Sequence, residues 1–108
     1  MNFFDFTETS RFTKKITKLL SDDDYAKVQL LLCRFPEFGK IIKGGGGIRK
    51  VRCGLEGRGK SGGARVIYFW AVSHDKILML DVYAKNEKEN LSPDEIKILR
   101  QEVEELLK

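Results

Sequence analysis

Apolar residues recur at two different spacings along the chain, and each spacing predicts a different type of element. Three stretches, about residues 10–20, 22–35 and 93–107, carry apolar side chains three and four positions apart, as amphipathic helices do. Ser21 precedes the second stretch and Ser92 the third, and serine is a favoured N-cap because its hydroxyl accepts a bond from a free backbone N–H. The chain is therefore expected to form three helices.

β-branched and aromatic residues dominate four other stretches, which are predicted to be strands: Phe3–Thr7, Ile48–Leu55, Ala64–Val72 and Lys76–Ala84. A short polar turn joins the last two into an antiparallel hairpin, and both are apolar on both faces, as central strands covered by helices are. The order strand, two helices, three strands, helix predicts an α+β fold with helices packed on a mostly antiparallel sheet. The length of 108 residues predicts a single domain over 1–108.

Alternation along the predicted strands assigns side chains to the two faces of the sheet. It places Lys50 and Arg52 on one face of their strand and Arg49 on the other. In the last strand it places Tyr83 on the face opposite Leu80. Lys50 and Arg52 are thus expected to point in the same direction as a pair.

Positive charge is concentrated in one segment of the chain. Residues 40–65 hold eight cations and one acid, a net charge of +7, whereas the other residues hold twelve cations and fifteen acids, a net charge of −3. A solvated basic face is one interpretation. A polyanion site is favoured, because the cations fall on predicted strands and a glycine-rich loop rather than on a tail.

One motif points to nucleotide chemistry. Residues Gly54–Ser61 fit the phosphate-loop pattern G-x-x-x-x-G-K-[ST], and Asp81 ends a strand like the one that holds magnesium in nucleotide hydrolases. That pattern works when a helix follows, because the backbone N–H groups of the helix start bind the phosphates. Here two glycines and a predicted strand follow. A nucleotidase is therefore a remote alternative, and the segment is predicted to be a flexible basic β-loop.

Cysteine and histidine are scarce. Cys33 and Cys53 have neither metal-knuckle nor redox spacing and are predicted to be buried thiols, and the single histidine, His74, falls in a predicted turn. No cofactor or metal is expected. The chain has no long apolar run and no secretion leader, so a cytoplasmic location without membrane contact is expected.

The basic residues suggest a specific phosphate chemistry. Lys50, Arg52 and Arg65 on one concave face, with Arg58 and Lys60 on the loop above, would bind a phosphodiester and stabilise a pentavalent phosphorane. A lysine crowded by other cations can accept a proton, because nearby positive charge disfavours its protonated form. The 2′-hydroxyl of RNA would then attack the adjacent phosphate and leave a 2′,3′-cyclic phosphate, with no metal required.

Three segments together resemble a known family: Gly47–Arg52 (GIRKVR), Arg58–Tyr68 (RGKSGGARVIY) and Val82–Glu87 (VYAKNE) are similar to the HigB branch of the RelE/ParE superfamily of bacterial type II toxins. The resemblance covers nearly the whole chain. It implies a RelE-like fold and a ribosome-dependent mRNA endonuclease that inhibits translation. It also implies the partners: ribosome and mRNA, a HigA-like helix-turn-helix antitoxin, and operator DNA bound only through that antitoxin.

The resemblance assigns roles to individual residues. Lys50 and Arg52 match the family's basic pair, one member of which is the proposed general base, and Arg65 matches its phosphate-stabilising arginine. Arg58 and Lys60 belong to the longer basic loop of the HigB branch.

The chain departs from the RelE type in two places. Lys85 stands where that type has a further arginine, and the position of its catalytic tyrosine falls near Ser92. The general acid therefore stays open between Lys60 and Lys85, with Tyr83 as a weak substitute for the tyrosine. The residues predicted to contact RNA are Arg49, Arg58, Lys60, Lys43 and Tyr83.

The same fold also serves toxins that poison gyrase by binding protein, and this non-enzymatic function is the main alternative. Converging cations favour the nuclease, because a protein-binding toxin does not need them.

Overall fold

The computed structural model describes residues 4–53 and 63–108. The elements follow the order β1 (Asp5–Glu8), α1 (Ser10–Leu19), α2 (Asp22–Arg34), β2 (Lys40–Ile41), β3 (Arg49–Cys53), β4 (Ala64–Ala71), β5 (Lys76–Ala84) and α3 (Pro93–Leu106). This order confirms the predicted α+β class and all three helices.

The five strands form one sheet in the order β1-β5-β4-β3-β2. Only β1 and β5 are parallel, and the other neighbouring pairs are antiparallel. The edge strand β2 was absent from the sequence prediction, because two residues are too short to produce an alternating pattern. The hairpin of β4 and β5 occupies the centre, as expected from strands that are apolar on both faces.

Helices cover both faces of the sheet. The first buried cluster joins α1 and α2 to the sheet and includes Phe12, Leu32, Val66 and Tyr68. The second joins α3 to the opposite face, with Leu99 packed among the buried strand residues. In the described part of the chain, no helix has both the length and the apolar character needed to cross a bilayer.

A β-bulge interrupts the pairing of the central hairpin. Ile67 pairs with Asp81 and Tyr68 with Met79, so Leu80 has no partner in β4. An unpaired residue of this kind shifts the alternation of the strand by one position.

The bulge corrects the predicted faces of β5. Tyr83 packs in the α3-side cluster together with Leu80, whereas Val82 packs on the side of α1 and α2. The predicted alternation, which put Tyr83 opposite Leu80, is therefore wrong beyond Leu80. Tyr83 pairs with Arg65 across the strands, and paired side chains project from the same face.

The start of α3 is held by side chains. The Ser92 hydroxyl accepts a bond from the Glu95 N–H at 3.1 Å, and the Glu95 carboxylate accepts one from the Ser92 N–H at 2.9 Å. The Glu95 carboxylate also accepts a bond from the Lys88 ammonium, and these contacts lower the pKa of Glu95 to about 2. The predicted N-cap at Ser92 is thus confirmed, and together with Glu95 it forms a capping box.

Acid should weaken the protein partly through Glu95. A carboxyl group whose pKa is lowered by folding contributes stability above its unfolded pKa, near 4.3, which is lost as the pH falls towards about 2. At neutral pH the wild type should be more stable than Glu95→Gln by under about 1 kcal/mol in free energy of unfolding, because the pair of Glu95 with Lys88 is partly exposed. This difference should shrink as the pH falls from about 4 to about 2. Urea unfolding across this range measures it. Glu104→Gln, at an exposed position of α3, is the control and should follow the wild-type curve.

Candidate functional site

A cavity of about 630 Å³ opens where β2, β3 and β4 meet the segment that precedes α3. Four cations line it, and all four come from strands: Lys40, Lys50, Arg52 and Arg65. Such a volume is in the range of small-ligand pockets and can hold a nucleotide.

Strand pairing brings these cations together. Lys40 pairs with Lys50, and Arg52 pairs with Arg65. Cross-strand partners lie side by side on the same face of a sheet, with Cβ atoms about 5 Å apart. Like charges at this distance repel, so the arrangement is destabilising unless an anion lies between them.

Arg65 is the most unusual of the four cations, because it is only 5% exposed. Within residues 4–53 and 63–108, its guanidinium has no ion pair and no hydrogen bond. The fully buried side-chain nitrogen and oxygen atoms that lack a partner in the described residues are Trp70 Nε1 and the Tyr83 hydroxyl, so the unbonded Arg65 nitrogens keep access to the cavity. The floor of the cavity therefore presents a positive charge suited to an anionic ligand.

Polar residues that precede α3 form the facing wall. The Lys50 ammonium donates a hydrogen bond to the Asn90 side-chain oxygen at 3.2 Å. Glu89 also lines the cavity and brings a carboxylate to it. The charge count of residues 40–65 did not indicate this carboxylate, because Glu89 lies outside that segment.

Two of the predicted RNA-contacting residues lie away from the cavity wall. Arg49 projects to the other face, and its guanidinium donates hydrogen bonds to the carbonyl oxygens of Glu37 at 3.1 Å and Gly39 at 2.8 Å. Lys43 is exposed in the turn that follows β2. Their contacts with RNA stay predictions.

The residues around the end of β5 are placed differently from one another. Tyr83 is fully buried, and its hydroxyl has no hydrogen-bond partner in the described part of the chain. Burial raises the pKa of Tyr83, while Arg65 and the Lys88 ammonium, 5.3 Å from its ring centroid, act in the opposite direction.

Lys85 is half-buried just beyond β5, and its backbone N–H donates to the carbonyl of Gly63 at 2.9 Å. Arg58 and Lys60 lie outside the described residues.

Four cavity residues with polar or aromatic side chains were missed as site candidates in the sequence: Phe38, Lys40, Glu89 and Asn90. Only Lys40 carried a signal, since it opens the basic segment. Phe38 and Asn90 belong to unrelated connecting segments, and folding alone brings them to the same cavity.

The remaining candidates for chemistry are occupied in structural roles. The Asp81 carboxylate accepts bonds from the Lys15 ammonium at 3.0 Å and from the Val82 N–H at 2.8 Å. Cys53 is buried, which raises the pKa of its thiol to about 12, whereas Cys33 is half-buried rather than buried as predicted.

The motif Gly54–Ser61 lies outside the described residues, but β4 begins at Ala64 and runs antiparallel to β5, so no helix opens where a phosphate loop needs one.

Replacing Arg65 by methionine should not weaken the fold. Methionine fills a similar volume and removes a charge that is repelled by Arg52 across the strands and has no ion pair in the described residues, so the free energy of unfolding is expected to stay unchanged or rise by about 1 kcal/mol. Thermal and urea unfolding measure it. Lys14→Met, at an exposed position of α1, is the matched control and should change stability little. A loss above about 2 kcal/mol in Arg65→Met would show that the guanidinium is stabilised within the protein.

Comparison with known proteins gives two findings. A family model described as the RelE toxin of the RelE/RelB toxin-antitoxin system matches residues 37–108. The solved structure of an arginine-to-alanine double mutant of the E. coli toxin RelE, in the free state, superposes with a TM-score of 0.64 and 18% sequence identity. That superposition covers 95% of this chain and 98% of the E. coli chain, and it shows a shared fold. With the family match extending over most of its length, the chain belongs to the RelE toxin family and is a toxin of a toxin-antitoxin system.

Proposed function

We propose that this toxin is a ribosome-dependent mRNA endonuclease, and that a HigA-like helix-turn-helix antitoxin holds it inactive. The observation that carries the proposal is Arg65, whose guanidinium has no ion pair and no hydrogen bond in the described chain and lies at the floor of a cavity lined by three further cations. A phosphodiester supplies the missing negative charge. Arginine suits this role, because its planar fork of donors binds two phosphate oxygens at once.

The cavity offers phosphate contacts at two depths. Arg65 would hold the scissile phosphate from the floor, where the low dielectric of the surrounding protein strengthens the interaction. Arg52, its exposed cross-strand partner, and Lys40 at the rim would neutralise neighbouring phosphates of the backbone. Negative charge grows on the phosphate oxygens as a pentavalent phosphorane forms, so these cations stabilise the transition state more than the ground state.

The proposed reaction is an internal transfer within the RNA. The 2′-oxygen attacks the adjacent phosphorus, its proton passes to a general base, and the bond from phosphorus to the 5′-oxygen breaks. A general acid gives the leaving 5′-oxygen a proton, so the products end in a 2′,3′-cyclic phosphate and a 5′-hydroxyl. Lys50 and Glu89 both line the cavity and can carry protons. Lys60 and Lys85 stay candidates for the acid.

Cleavage should depend on Arg65. In translation reactions, the wild type should create new mRNA 5′ ends within the coding region, detected by primer extension. Arg65→Met should reduce the cleavage rate about 100- to 1,000-fold, the usual cost of removing a group that stabilises transition-state charge. Lys14→Met removes an exposed cation far from the cavity and should cut at the wild-type rate.

The same experiment separates the enzyme from its alternative. If the wild type arrests growth and creates no new mRNA ends, the nuclease proposal is wrong. Inhibition of purified gyrase in that case would support a toxin that acts by binding protein.

The proton carriers can be separated by a matched pair of variants. Lys50→Met and Glu89→Gln each remove one proton-carrying group from the cavity wall. If Lys50 is the general base, Lys50→Met should lose about 100-fold or more in rate and Glu89→Gln little, since general base catalysis contributes that much. The pH dependence of single-turnover cleavage is the second measurement. An acidic limb, that is, a loss of rate as the pH falls and the base becomes protonated, that persists in Lys50→Met and disappears in Glu89→Gln would contradict the lysine assignment.

A further inference from the structure

We infer that Phe38 is a stacking platform for an RNA base next to the phosphate bound by Arg65. This inference rests on the proposed function and adds a recognition element to the same site. Phe38 is 58% exposed and lines the cation cavity. It lies in the connection between α2 and β2, outside the basic strands.

The backbone around Phe38 is held by two side chains of the sheet. The Tyr68 hydroxyl donates to the carbonyl of Pro36 at 2.8 Å and accepts from the N–H of Gly39 at 2.9 Å. The Arg49 guanidinium donates to the carbonyl oxygens on both sides of Phe38. Both flanks of the aromatic residue are therefore tied to buried or half-buried groups of β3 and β4.

Gly39 shows how closely this connection lies against the sheet. A Cβ atom at this position would lie 2.8 Å from a ring carbon of Tyr68 and 2.9 Å from the carbonyl oxygen of Lys50. Only glycine fits such an approach without displacement of backbone. The segment that carries Phe38 is thus fixed in place while the phenyl ring itself remains largely in solvent.

A fixed and exposed ring beside a phosphate site matches the requirements of base stacking. Every base has a π-face, so stacking on an aromatic ring is tolerant of sequence, and cations beside the ring track the backbone. The entropy of ordering the platform is already lost in the free protein, which favours binding. The cavity therefore combines the two elements that hold single-stranded RNA.

The position of the neighbouring apolar residue Ile41 helps to decide whether Phe38 contacts an RNA base or a protein partner. Ile41 is 56% exposed and only three positions away, but it pairs with Arg49, while Lys40 pairs with Lys50 at the cavity. Alternation in β2 therefore directs Ile41 to the other face of the sheet. Phe38 therefore lies on the face of the cations and not on the face of Ile41. This position favours a nucleic-acid ligand over an apolar protein surface.

The test is a thermodynamic cycle between Phe38 and single bases of RNA. The probe is a short fluorescent RNA with 2′-O-methyl groups, which prevent cleavage, and a set of the same RNAs each lacking one base. Fluorescence anisotropy at about 50 mM salt keeps the electrostatic contribution strong. Phe38→Ala should weaken binding of the complete RNA roughly 5- to 100-fold, and Phe38→Tyr should preserve it. With one of the abasic RNAs the effect of Phe38→Ala should largely disappear.

Ile41→Ala is the matched control, and it should bind the complete RNA like the wild type. Unfolding midpoints of all variants should agree, because both side chains are largely exposed. An effect of Phe38→Ala that is equal for complete and abasic RNAs, or no binding of RNA by the wild type, would overturn the inference. Loss of antitoxin binding with unchanged RNA binding would assign Phe38 to a protein contact instead.

The outcome is independent of the cleavage assay. mRNA cleavage by the wild type without coupling between Phe38 and a base would reject the stacking platform alone. Coupling without cleavage would reject the nuclease and leave a protein that binds RNA.

Discussion

The antiparallel pairing of β4 with β5 determines the position of almost every other part of this protein. The two strands contribute buried residues to both layers of the core, so α1 and α2 pack on one face and α3 on the other. Side chains alternate along a strand, and a shift of one residue exchanges the faces. The bulge at Leu80 makes such an exchange in mid-strand, and it turns Tyr83 towards the side of Arg65.

The same hairpin holds Arg65 in a position that is unfavourable for the free protein. The Arg65 side chain is buried against the sheet, paired laterally with a second arginine, and without an ion pair in the described residues. Proteins retain such groups where function requires them, and the stability for this comes from the rest of the core. In this toxin that core has two layers, and ionic contacts connect α1 to α3 and to β5: Arg11 of α1 with Glu102 of α3 at 2.9 Å, and Lys15 of α1 with Asp81 of β5 at 3.0 Å.

Predictions from sequence succeeded where a local signal exists. The capping box at Ser92 and the apolar periods of the helices located α1, α2 and α3, and the charge of residues 40–65 pointed to the strands that line the cavity. They failed where geometry depends on pairing between distant residues. The two-residue strand β2 exists because Lys40 and Ile41 pair with β3, and the bulge exists because the two halves of the hairpin differ in length.

The cavity shows the same division. Lys50, Arg52 and Arg65 were predictable, because alternation within a strand is a local property and the charges are visible in the chain. Phe38 and Asn90 reach the cavity from connections that are 52 residues apart, and no periodicity links them. The sequence by itself determined the types of the longer elements and the positive charge of the strands that line the cavity, since both follow from local composition and spacing. The tertiary structure decided which arginine is buried, which aromatic ring is presented and which wall carries a carboxylate, because burial and proximity arise from packing between distant segments.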